Sequence, residues 1–121
     1  MDNFAEKLYL ALNPLLPSEW EKVVVRGIIL PESCEFYFFC LAEGRYYGSR
    51  DLIDAGIFTS RDMNAAYLQI RKTARSILEN KDSKWCSFTF TVNNEGSFSI
   101  DYEYDGESMI SYVDWKNKYL T

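Results

Sequence analysis

Acid–base and nucleophilic chemistry draws on a short list of side chains, and most of that list is thin or missing here. The chain has no histidine, so the side chain that ordinarily exchanges a proton near neutral pH is absent. Cys–His and Ser–His–Asp arrangements are excluded with it. No glycine-rich phosphate loop ending in Gly-Lys-Ser/Thr occurs. Cys34, Cys40 and Cys86 sit in strand-like runs beside Phe and Trp, the setting of buried and inert thiols. Carboxylates remain, but nothing marks a catalytic pair among them. The expectation is a binding domain, with no catalytic residue and no cofactor.

One stretch imitates a metal site. Asp101-Tyr102-Glu103-Tyr104-Asp105-Gly106 begins like the calcium loop of a helix–loop–helix hand. Its twelfth position, which should supply a bidentate Glu, is Tyr112, and its third is Glu where Asp or Asn is expected. The alternation from Ser97 onward continues through it as a strand. Same-face carboxylates on a strand stand roughly 6.5 Å apart, too far to share one ion unaided. No metal site is expected.

The layout of charge carries more. With 13 basic and 18 acidic residues the formal net charge is -5, which argues against nucleic acid or an anionic membrane as direct ligand. From Trp85 to Trp115 there is no Lys or Arg, while Glu95, Asp101, Glu103, Asp105, Glu107 and Asp114 fall in the span. Asp101, Glu103 and Asp105 share one face of the strand. They read as an uncompensated acidic ridge, because like charges aligned on one strand repel. Attraction to a basic partner would explain keeping them. A merely solvated face, or partial neutralisation by the basic helix from Arg61 to Lys84, is the competing account. Asp101, Glu103, Asp105 and Glu107 are therefore the first partner-binding candidates. Tyr46, Tyr47, Arg50 and Asp51, in the segment after the second strand, are the next. Reversing the ridge charges should leave folding intact.

The elements that must position these residues are legible from periodicity. Asn3 to Asn13 places Phe4, Leu8 and Leu12 at helical spacing, with Asp2 or Asn3 as cap and Pro14 and Pro17 as stop. Lys22–Leu30 and Cys34–Leu41 are apolar on both faces and pair as a hairpin, so each face needs a cover. Tyr46 to Arg50 could add a short strand. Thr59 and Ser60 cap a long helix that repeats Met63, Ala66, Tyr67, Ile70, Ala74, Ile77 and Leu78. Trp85–Val92 and Phe98–Tyr104 alternate around an Asn93-Asn94-Glu95-Gly96 turn. Ser111–Tyr119 closes as a short helix. The fold class is α+β: a mostly antiparallel sheet of four to five strands, with an N-terminal helix, one long central helix and a short C-terminal helix. At 121 residues, one domain over 1–121 is the expectation.

Three cysteines are an odd number, no Asn-x-Ser/Thr sequon occurs, and Met1-Asp2-Asn3-Phe4 lacks a basic flank. Free thiols in a reducing cytosol follow, with no membrane span, since no run approaches the roughly 20 apolar residues a span needs.

Leu16-Pro17-x-x-Trp20, Tyr37-Phe38-Phe39, Trp85-x-x-Phe88-x-Phe90, Gly96-x-Phe98-x-x-Asp101-Tyr102-x-Tyr104 and Trp115-x-x-x-Tyr119-Leu120 stand in that order. Together they resemble the YezG-like family of bacterial antitoxin, or immunity, proteins. The resemblance implies a cytosolic protein that binds a cognate toxin domain one-to-one and blocks it, commonly a nuclease. Nucleases present basic clefts to phosphate backbones, which agrees with an acidic ridge. It also implies that Trp20, Trp85, Phe88, Phe90 and Phe98 are core. A general adaptor domain without a toxin is the alternative, and a carboxylate enzyme or small-ligand protein the third reading.

Overall fold

The longest β-branched and aromatic runs in the chain become the centre of its sheet. The computed structural model describes residues 3–79, 84–104 and 109–121. Five strands, β1 (Trp20–Ile29), β2 (Cys34–Ala42), β3 (Arg45–Gly48), β4 (Ser87–Asn93) and β5 (Phe98–Glu103), lie in the order β3-β2-β1-β4-β5. Every pairing is antiparallel. Central β1 is covered on both faces, and Val23, Val24 and Val25 are fully buried. That is why its sequence shows no alternation.

Four α-helices accompany the sheet: α1 (Asn3–Leu12), α2 (Ser49–Asp54), α3 (Ser60–Leu78) and α4 (Tyr112–Tyr119). The expected elements are all present, with one addition. Tyr46 and Tyr47 are strand as anticipated, but the chain then bends at once into α2, where the Gly48 N–H donates to Asp51 Oδ2 at 2.9 Å. A six-residue helix is too short to leave a periodic signature. Pro14 ends α1 through a 3-10 turn, Asn13–Leu15. Of the two candidate caps for α1, Asp2 lies outside the described residues.

Helices α1 and α3 cover one face of the sheet. Phe4, Leu8 and Leu12 from α1 and Met63, Ala66, Ile70 and Ala74 from α3 share a core with Val25, Phe38, Phe88 and Phe90. Thr59 caps α3: its hydroxyl accepts from the Asp62 N–H at 3.1 Å, and Asp62 accepts from the Thr59 N–H at 3.0 Å. Two acceptors thus satisfy donors that the first turn leaves unpaired. Gly27 lets the Phe88 ring cross β1, since a methyl group there would overlap it. Of the aromatics expected in the core, Trp85, Phe88 and Phe90 are buried, Trp20 is half-buried, and Phe98 is 36% exposed at the start of an edge strand. Among the described residues Cys34, Cys40 and Cys86 form no disulfide, and Cys40 is buried. No helix among the described residues is long and apolar enough to cross a membrane.

Helix α4 packs on the other face. Trp115 is fully buried there and its ring lies against Tyr37 and Phe39 of β2.

Candidate functional site

The first candidates lie on β5, on the face beneath α4. Strand periodicity puts Asp101 and Glu103 on that side, opposite Ile100 and Tyr102. Two strands away, Arg26 of β1 points to the same side and is only 2% exposed. A buried guanidinium needs a counter-charge. Arg26 Nη2 donates to Glu103 Oε1 at 2.8 Å and to the Ile110 carbonyl at 2.9 Å. Glu103 also accepts from Ser87 Oγ at 2.7 Å and from the Ile110 N–H at 2.8 Å. Burial acts to raise its pKa, but the bonds from Ser87, Ile110 and Arg26 outweigh it and hold the carboxyl below its ordinary range.

Asp101 is engaged as well, accepting from the Tyr119 hydroxyl at 2.7 Å. Burial first, and then the neighbouring carboxylate, push the Tyr119 pKa up to about 12. Trp115 Nε1 donates to Thr89 Oγ1 at 2.9 Å between these two anchors. The acids of β5 thus tie α4 and the chain before it to the sheet.

The uncompensated ridge is corrected by these contacts. Glu103 is neutralised by a cation 77 positions earlier in sequence, which a count of charges between Trp85 and Trp115 cannot see. The neutralising residue is Arg26 of β1, and among the described residues none of the α3 cations forms an ion pair with Asp101 or Glu103. Asp105 and Glu107 lie outside the described residues. With Glu103 bonded this way, charge reversal across Asp101, Glu103 and Asp105 can no longer be expected to spare the fold.

The second candidates sit on a different rim. Tyr46 and Tyr47 are in β3, and Arg50 and Asp51 in the first turn of α2. Between α2, the hairpin joining β2 to β3 and the loop 17–19 lies an open cleft of about 450 Å³. Tyr46, Tyr47 and Asp51 line it, whereas Arg50 does not. Sequence reasoning missed Glu19, Glu43 and Asp54, which also line it. All three are exposed, and among the described residues the one ion pair is Arg26–Glu103. Four carboxylates therefore face one guanidinium, Arg45, whose charge rests 5.4 Å from the Tyr47 ring centre.

With that geometry in place, the family is decided by the extent of the match: the model for the immunity protein YezG-like family covers residues 1–120. The chain belongs to the YezG-like immunity family. It is 24% identical over 111 residues to the immunity protein YezG of Bacillus spizizenii strain W23, covering 87% of this chain and 69% of that protein. To the immunity protein YezG of Bacillus subtilis strain 168 it is 27% identical over 103 residues, 78% of this chain and 66% of that protein. The match thus leaves about a third of each relative uncovered.

In this YezG-like chain the cleft offers negative charge, hydrogen-bond acceptors and tyrosines beside exposed apolar surface. That is the chemistry of recognition. One sequence signal could have found the Arg26 pair: a lone cation inside a run that is apolar on both faces must seek a carboxylate. No comparable signal joins Glu19, Glu43 and Asp54, because three separate segments bring them together.

Proposed function

We propose that this chain neutralises a cognate toxin domain by binding it one-to-one in the cytosol, that the toxin is a nuclease, and that the bound surface is acidic. Membership of the immunity family over nearly the whole chain carries this reading. The excess of 18 acidic over 13 basic residues supports the nuclease, because a domain built to grip phosphates is itself basic. Opposite fields steer such partners together and slow wrong encounters.

The experiment is co-expression with the toxin domain encoded beside this gene. A stable complex, survival of the expressing cells and stoichiometric loss of nucleic-acid cleavage are expected. Association should slow at high salt, since at 1 M the reach of exposed charges shrinks to about 3 Å. Separate elution of the two proteins, with no protection, ends the reading. A complex whose toxin cleaves neither DNA nor RNA removes the nuclease alone.

A further inference from the structure

We propose that the cleft between α2 and the β2–β3 hairpin receives a lysine- or arginine-bearing loop of the toxin domain. The inference rests on the immunity reading above and names where the partner docks.

Shape and chemistry agree on the occupant. The walls include Tyr46, Tyr47, Leu52 and Ile57, and Ile57 remains 46% exposed. A long basic side chain suits such a place, because its stem covers apolar surface while its head seeks charge. A guanidinium gains further from bidentate carboxylates and from aromatic faces. Glu19, Glu43 and Asp54 are available to it. Arginine in a pocket is also a common centre of binding energy at interfaces.

The carboxylates stand where local structure disfavours them. Glu43 has φ 54° in the β2–β3 turn, followed by Gly44 at φ 78°. Two left-handed residues in a two-residue hairpin loop favour Asn-Gly, and a Glu with its bulky side chain is strained there. Asp54 is the last residue of α2, next to carbonyls whose partial charge favours a cation. Among the described residues neither side chain has a hydrogen-bond or ion-pair partner that would repay the placement. Breaches of local rules without an internal gain are expected where function imposes them.

The occupant could instead be a second copy of this chain, and the test separates the two. The probe is the toxin domain encoded beside this gene, with its own catalytic residue disabled. Its affinity is measured for the parent, for a cleft triple (Glu19→Lys, Glu43→Lys, Asp54→Lys) and for a distant triple of equal charge change (Glu6→Lys, Glu32→Lys, Glu79→Lys). The cleft triple should bind at least about 30-fold more weakly, the factor corresponding to about 2 kcal/mol for a desolvated charge partner. The distant triple should lose only a few-fold. Glu43→Asn should melt no lower than the parent while binding several-fold more weakly, a divergence that a structural role would not produce. Equal losses in both triples would mean net charge alone acts, and would overturn the cleft. A cleft triple that binds like the parent does the same while leaving the immunity reading intact. So does a parent dimer that the cleft triple dissociates with toxin affinity unchanged. If the parent itself does not bind, the immunity reading falls first, and this one with it.

Discussion

Two groups of carboxylates in this molecule look alike in sequence and stand in opposite settings. Asp101 and Glu103 are consumed internally: one holds Tyr119, the other holds Arg26, Ser87 and the backbone of Ile110. Glu19, Glu43 and Asp54 line an open cleft with no cation bonded to them among the described residues. The difference lies in which face of the sheet needs anchoring. The helix on one face, α4, has only eight residues, and so short a helix gains little from packing alone. The β5 acids supply what packing lacks. On the cleft side α2 is capped locally by Asp51, and Glu19, Glu43 and Asp54 are the acids proposed above for docking.

The largest effect that could break this comparison is expected at Glu103. Glu103→Lys removes the counter-charge of a buried Arg26 and sets a second cation beside it. Breaking a buried pair costs about 3 to 5 kcal/mol, and the side chain's 20% exposure favours the lower end. A fall in melting temperature on the order of 10 °C follows for a domain of this size. The cleft triple should melt within a few degrees of the parent. Thermal denaturation of both decides it. A Glu103→Lys variant as stable as the parent would falsify the anchoring role.

A smaller effect is expected with pH. The folded-state pKa of Glu103 is depressed from its ordinary 4.5. Its contribution is therefore complete above that ordinary value, and is lost as pH falls through the lower folded one. Urea midpoints of parent and Glu103→Gln, followed from neutral pH to below 4, should converge at the acid end. A gap that stays constant over the range counts against an ionised Glu103 as the anchor.

The smallest effect belongs to Asp101. Its bond to Tyr119 is exposed, and exposed hydrogen bonds contribute about 1 kcal/mol or less. Asp101→Asn should shift the urea midpoint only slightly, and Tyr119→Phe by a similar amount. If the double variant loses no more than either single, the two groups act through their mutual bond. Additive losses would assign each a separate role.

Much of this fold was legible before any coordinates. The central helix announced itself through Met63, Ala66, Ile70 and Ala74, and its cap through Thr59, because helical spacing and capping are local properties of adjacent residues. The β1–β2 and β4–β5 hairpins followed from turn residues between alternating or β-branched runs, and the double-sided apolarity of Val23, Val24 and Val25 required covers on both faces. Helix α2 was not legible. Six residues complete fewer than two turns, too few for a period to repeat.

The candidate site divided along the same line. Tyr46, Tyr47 and Asp51 were picked from the segment after the second strand, and they do line the cleft. Arg50, one residue from Asp51, does not, since neighbours on a helix point about 100° apart. Sequence by itself determined the element types, the antiparallel hairpins, the free thiols and the excess of acid, because each depends on residues near one another or on a sum over the chain. Only the tertiary structure decided which acids are spent. Charge balance is settled between strands distant in sequence, as when Arg26 reaches across β4 to Glu103. The cleft is formed by three segments, the loop 17–19, the β2–β3 hairpin and α2, that the fold brings together.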